Sequence, residues 1–350
     1  MIKALKLYTG AALVLSTFFL GMKNHEPKKR VLITVHEEAK RIDISVNGKS
    51  FTSYIYPETL KKPVLYPILT PSGKPVTRGW PLDPRPGERV DHPHHVGLWF
   101  NYGDVNGHDF WNNSNNISSS HKGPFGTIRH RSVDKVVNGR NKAELGVSMD
   151  WLSSMNTAII REKTTYIFSY KGEQRIIDRI TTLTALEDIN FKDNKEGMFA
   201  MRIARQLEQP YNKAEKLIDS NGNISTEAVL NNEGVSGKYY SSEGKNGDAV
   251  WGTRAKWVML NGMIDNEPVT LAIMDHPSNL GYPGGWHARG YGLFGVNAFG
   301  KKSMGNSSEE FNYILPKGKS ITFKHRLLIH SGSSVSQEEV EKEFTAFAEN

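Results

Sequence analysis

The 350-residue chain contains no cysteine, which excludes disulfides, thiolate metal sites, thiol nucleophiles and a lipidated cysteine. Its formal charge of +7 comes largely from residues 1–30, where six Lys/Arg stand against one Glu, and about +2 is left for the remainder. No basic stripe offers itself to nucleic acid, so any preference for anions has to come from individual arginines.

Residues 1–30 read as a secretory signal and a short linker. Lys3 and Lys6 precede an apolar run, "ALVLSTFFLGM", that is too short and isolated to span a membrane comfortably. Export to the periplasm is the expectation, with an uncleaved N-terminal anchor as the alternative. From residue 31 strand signals dominate, and residues 31–350 read as one domain. In "RIDISVNGKSFTSYIY" Ile42, Ile44 and Val46 alternate with polar residues and run into Asn47-Gly48, a strong hairpin signal that predicts the start of a meander.

Next comes "DHPHHVGLWFNYGDVNGHDFW", which is too polar for a core and too aromatic for an ordinary loop. If residues 94–99 are extended, His95 and Trp99 share one face and His94 the other. Three readings of these histidines stand side by side: catalytic or substrate-binding groups, structural groups, or ligands of one divalent metal (zinc, copper or iron) near His92 and His94. The metal reading lacks a recognised ligand spacing, and no cofactor is the first expectation. Trp99 and Trp111 are candidate sugar platforms, and Asp104 is a candidate hydrogen-bonding group beside them.

"RSVDKVVNGRNKAELGVSMDWL" predicts a further strand pair. In "KEGMFAMRIARQLEQ" Phe199, Met201 and Ile203 alternate against Glu196, Met198, Ala200 and Arg202, so Glu196 and Arg202 share a face as a structural ion pair or as the wall of a polar cleft. Residues 212–248, rich in Asn, Gly, Ser, Lys and Glu, read as a surface insertion. "TRAKWVMLNGMIDNEPVTLAIMDHP" predicts two more strands and ends on an echo: Asp91-His92-Pro93-x-x-x-Gly97 returns as Asp275-His276-Pro277-x-x-x-Gly281.

After the turn at Pro283-Gly284-Gly285, the residues His287, Arg289 and Tyr291 fall at period 2, which on a strand would point all three to one side. A histidine can take a proton, an arginine can hold a carboxylate in bidentate fashion, and a tyrosine can give a proton. The bland alternative is an exposed pair beside a capped histidine. "SITFKHRLLIH" predicts a strand whose apolar face, Ile321, Phe323, Leu327 and Ile329, is interrupted by His325. "SQEEVEKEFTAFAEN" predicts a C-terminal helix capped by Ser336, with Val340, Phe344 and Phe347 on one side. The sum is an all-β chain: a large antiparallel β-sandwich with a short C-terminal helix. A nucleophile elbow, a P-loop, an HExxH motif and a dinucleotide fingerprint are all absent from the sequence.

Four stretches, "YPILTPSGKPVTRGWP", "DHPHHVGLWFNYGDVNGHDFW", "KEGMFAMRIA" and "MDHPSNLGYPGGWHARGYGLFGVNAFG", resemble the PmoA family, exported bacterial proteins named after a methane oxygenase subunit. The oxygenase name does not suit a chain with a single N-terminal apolar segment followed by strand-rich sequence. The resemblance implies a galactose mutarotase-like sandwich, related to polysaccharide lyases and often encoded with glycan-degrading enzymes. It transfers no catalytic assignment.

Residues and resemblance together lead to a periplasmic enzyme acting on acidic oligosaccharides, eliminating water or a glycosyl group from a uronic-acid-containing sugar. Such an elimination needs a base, a cation and an acid. His95 or His287 is the candidate base, Arg289 or Arg202 the carboxylate clamp and Tyr291 the acid, with Asp91 or Asp275 fixing a histidine tautomer. His94, His276 and Asn279 complete the substrate-binding candidates. A mutarotase or epimerase using Glu196 with a histidine, a hydrolase pairing Glu196 with Asp104 or Asp109, and a non-catalytic glycan-binding protein are the alternatives.

Overall fold

In a computed structural model, residues 30–117 and 123–349 are described; the expected signal segment lies outside them. Among the described residues no helix is long and apolar enough to cross a membrane. The chain opens with β1 (Val31–His36), β2 (Arg41–Val46), β3 (Lys49–Ile55), β4 (Val64–Ile68) and β5 (Leu98–Tyr102). It continues with β6 (Thr127–Val137), β7 (Lys142–Leu152), β8 (Ala158–Lys171), β9 (Gln174–Ala185), β10 (Ile189–Phe191) and β11 (Gly197–Arg202). The last third holds β12 (Lys238–Ser241), β13 (Trp257–Ile264), β14 (Glu267–Asp275), β15 (Gly285–Ala288), β16 (Leu293–Asn297), β17 (Tyr313–Leu315), β18 (Ser320–Ser331) and α1 (Gln337–Ala348).

Two eight-stranded antiparallel sheets result, in the order β1-β2-β3-β4-β5-β11-β16-β15 and β12-β13-β14-β18-β9-β8-β7-β6. The all-β sandwich and the short terminal helix of the sequence reading are both present. The meander follows from local signals: Asn47 and Gly48 both take positive φ, 54° and 79°, as a tight hairpin turn of matching twist requires. Phe100, Phe199 and Phe294 from the first sheet meet Trp151, Tyr166, Leu271 and Phe323 from the second in one continuous core. The capping box at Ser336 and Glu339 starts α1, which lays Val340, Phe344 and Phe347 on the outside of the second sheet against Trp257, Met274 and Leu328.

The expected insertion at 212–248 is shorter than its composition suggested. β12 pairs with β13 and buries Tyr239 completely, because Tyr239 alternates into the core while its polar neighbours cover the sheet edge.

Every residue of β5 and of β11 is buried. Strands buried on both faces have a second packed layer, and here it consists of the loops before β5 and after it. The face of the first sheet turned away from the core therefore carries the site.

Candidate active site

Register defines the floor. Trp99 on β5 stands opposite Ala200 on β11, Ala200 opposite Gly295 on β16, and Gly295 opposite His287 on β15. Two minimal side chains between two large ones leave a trough, and Trp111, from the loop after β5, fills it. Its ring stacks on His287 at 6.2 Å and meets Trp99 and His95 edge-on at 5.3 and 5.6 Å. The tryptophans are thus not the exposed platforms expected from the sequence: Trp99 and Trp111 are 0% and 1% exposed and act as the aromatic floor beneath the histidines.

The first copy of the sequence echo builds the roof. Arg78, fully buried, donates to the backbone carbonyls of Asp91, His92 and His95 at 2.9, 3.0 and 3.1 Å and so staples the DHPHH loop in place. Residues 92–95 consequently form a turn, closed by His95 N–H donating to His92 O, and the extended strand begins only at Leu98 instead of at residue 94 as predicted. His95 and Trp99 still come together, stacked at 5.3 Å.

Asp91 is the centre of charge. Its Oδ1 accepts from Arg78 Nη1 and from Arg202 Nη2, each at 2.7 Å, and its Oδ2 accepts from His92 Nδ1 at 2.6 Å. Burial alone would raise this carboxyl, but Arg202, the His92 bond and Arg78 together hold it well below the usual carboxylate range. An ionised carboxylate accepting at Nδ1 fixes the proton there and leaves a lone pair on His92 Nε2. His92 is the exposed member of the group, its ring lying parallel to Tyr291 on one side (5.1 Å) and to His95 on the other (4.7 Å).

The predicted face of His287, Arg289 and Tyr291 is not formed as a strand. β15 ends at Ala288, and Arg289–Gly292 is a tight turn closed by Gly292 N–H donating to Arg289 O, with Gly292 at φ +96°. The turn nevertheless delivers all three residues to one place. Tyr291 packs beneath the Arg202 guanidinium at 4.9 Å, and burial pushes its phenol up to about 12, with Glu196 and Asp91 adding to the effect and Arg202 opposing it. Arg289 lies 4.2 Å over the Trp251 ring and has no carboxylate partner among the described residues. Glu196, beside β11, contacts Lys195 through Oε1 and points Oε2 toward His287 Nδ1 at 3.7 Å.

Arg202 does not pair with Glu196; its charge goes to Asp91, with Glu208 at 3.9 Å, because β11 turns it inward under the DHPHH loop. It can orient the site but is not a free carboxylate clamp. His95 and His287 are held as neutral imidazoles. Burial drives His95 well below its normal range, and burial followed by the Lys195 and Arg289 charges takes His287 to about 3. His94 is pulled down in the same way, first by burial and then by Lys62. His94 Nε2, His95 Nε2, His287 Nδ1 and Trp99 Nε1 are all buried without a protein partner. Each such group costs about 1–3 kcal/mol, so four of them in one cluster make it the candidate site.

Three candidates lie elsewhere. Asp104 accepts from Gly107 N–H and shapes its own turn, as Asp109 does for Trp111 and Asn112. His276 bonds Ser278 and Asn279 bonds Asp275, next to His325 and the terminal helix. The sequence echo is a backbone device: in both copies the N–H three residues after His closes a turn on the His carbonyl. Gly97 and Gly281 follow at positive φ, where a Cβ would stand 2.3 Å from Leu65 O or 2.1 Å from Ala298 O. Arg78, Glu208 and Lys195 were missed, although Arg78 sits within "PVTRGWP"; nothing local in the sequence says which arginine meets which carboxylate. Among the described residues, no group of three or more His, Cys, Asp or Glu is arranged to hold a metal ion.

Fold and candidate site together define a β-sandwich protein with a polar, histidine-rich cluster on the outer face of one sheet. The chain belongs to a family of unknown function, DUF6807, whose model matches residues 41–345. No curated protein matches it. Among solved structures it is similar to a GH36 alpha-galactosidase from Geobacillus stearothermophilus (9% identity, 86% of this chain and 41% of that one, TM-score 0.40). It is likewise similar to an alpha-galactosidase from Lactobacillus brevis (9%, 91% and 41%, TM-score 0.39) and to a putative kojibiose phosphorylase from human microbiome (8%, 93% and 36%, TM-score 0.31). The chain spans about two fifths of the length of those galactosidases.

Proposed function

We propose that this protein is an exported carbohydrate-active enzyme, of the PmoA type that its sequence resembles, which eliminates water or a glycosyl group from a uronic-acid-containing oligosaccharide. The observation that carries the reading is the Asp91–His92 pair, with the exposed His92 ring stacked on Tyr291, near an arginine without a carboxylate partner among the described residues. His92 replaces His95 and His287 as the base: those two are buried and poorly basic, whereas His92 is exposed and presents the Nε2 lone pair.

In this mechanism Arg289 pairs with the substrate carboxylate and stabilises the negative charge that grows on it as the neighbouring C–H is broken. His92 Nε2 takes that proton, and Asp91 stabilises the resulting imidazolium. The electron pair forms the C=C bond and expels the oxygen on the next carbon, which leaves with the Tyr291 phenolic proton as water or as a sugar hydroxyl. Solvent then returns the proton from His92 to Tyr291.

Mass spectrometry of acidic oligosaccharides after incubation tests this directly. A product lighter by one water, or a new unsaturated end absorbing in the ultraviolet, is the expected outcome, and unchanged masses across acidic and neutral sugars would overturn it. The 3.7 Å approach of Glu196 to His287 favours one second reading, anomeric proton transfer by a mutarotase. Faster exchange of anomeric signals in NMR, with masses unchanged, would support that reading instead.

A further inference from the structure

Beside the His92–His95 turn lies an open groove, lined in part by Pro93 and His94, that the mechanism does not use. Leu60, Val64, Leu82 and Pro93 form an apolar wall, and the run Asn113–Asn116 forms a polar one. The ring of His94 is shared: it lines the groove and stands 4.4 Å from His95 and 5.7 Å from His92. At the inner end Lys62, 5% exposed, donates to His94 O at 2.8 Å and lies 5.3 Å over the Trp99 ring. Burial takes its amine down to about 7, with Asp109 only partly opposing, so the groove does not present a full buried charge at neutral pH.

An amphipathic slot of this kind suits one class of ligand. A pyranose ring has a C–H face that packs on apolar side chains and a hydroxyl edge that needs amide donors and acceptors. Pro93 and His94, which line the groove, adjoin the proposed base His92 in the chain, and the His94 ring stands 5.7 Å from that of His92. We propose that it binds a third sugar ring of the same glycan chain, beyond the two rings joined at the bond that reacts at His92 and Tyr291. This rests on the elimination reading for the identity of the chain, and adds that the substrate is an oligomer gripped beyond the reacting bond as well.

The test is calorimetric titration of the full chain with acidic oligosaccharides of two and four units, cut from polyglucuronate and polygalacturonate. The expected result is at least tenfold tighter binding of a tetramer than of its dimer. Leu82→Trp, which fills the groove from an exposed position, and Asn116→Ala, which removes an amide from its rim, should bring that ratio close to one while leaving dimer turnover unchanged. Equal affinity for the two lengths in the natural protein, or a length gain that survives both substitutions, overturns the third-ring site. Turnover of a dimer without any length gain sinks the groove alone, whereas absence of binding and turnover at both lengths sinks the elimination reading with it.

Discussion

His92 takes φ +45°, a left-handed backbone that costs a non-glycine residue about 1–3 kcal/mol and persists only where its surroundings enforce it. Arg78 supplies the enforcement through three carbonyls, and the result is a histidine presented to solvent with its tautomer set. Two substitutions separate presentation from chemistry. His92→Asn suits the left-handed backbone but has no base, so turnover should fall roughly 10²–10⁴-fold with an unchanged melting temperature. Asp91→Asn strands two fully buried guanidinium groups and should cost about 3–5 kcal/mol in denaturant titration as well as turnover. Full activity in His92→Asn would remove His92 from the mechanism. The DHPHH cluster was legible as a site from composition alone, and an aspartate fixing a neighbouring tautomer was legible from adjacency. Which histidine stays exposed was not, since that depends on Arg78 reaching across thirteen residues.

At the level of strands, alternation identified β2, β6, β7, β13, β14 and β18 from sequence, including His325 on the core face of β18, where it stacks on Phe199 at 4.9 Å. The pairing of β5 with β11 and of β11 with β16 was not legible, because these partners are about a hundred residues apart and each strand is apolar on both faces. Nor was the end of β15 legible: a period-2 reading cannot see that Gly290 and Gly292 let the chain turn. The row Trp99–Ala200–Gly295–His287 makes this register testable. A Cβ on Gly295 would stand 2.6 Å from Ala200 Cβ, so Gly295→Val should cost about 1–3 kcal/mol by overpacking. It should also lift Trp111 from the trough, visible as a red shift in tryptophan emission and a loss of activity. An unchanged spectrum with normal activity would show that Trp111 does not rely on that gap.

The molecule as a whole carries an acid liability distributed over both sheets. His94, His95, His287 and His325 are all held neutral by burial in the folded chain, His287 and His325 down to about 3. Unfolded, each protonates near 6.5. Their folded pKa values are depressed, so below about pH 6.5 the unfolded chain binds more protons and stability falls as pH falls, by about 1.4 kcal/mol per pH unit for each histidine. Asp275 works in the opposite direction. Burial raises its carboxyl to about 6 despite bonds from Asn279 and Gly284, so its contribution is complete below the unfolded value near 3.8 and is lost as pH rises through 6. The buried histidines outnumber the raised carboxyl of Asp275, so the net direction is a loss of stability as pH falls below about 6. The melting temperature should therefore drop steeply below pH 6. His325→Phe, which keeps an aromatic ring between Phe199 and Phe323 but cannot bind a proton, should flatten that drop by about one proton's worth of slope. A melting temperature that holds steady or rises from pH 7 to 5 would contradict the neutral state of the four histidines. It would also return His95 and His287 to contention as bases, since a histidine that protonates near neutrality inside the fold is one that can also do so in a catalytic cycle.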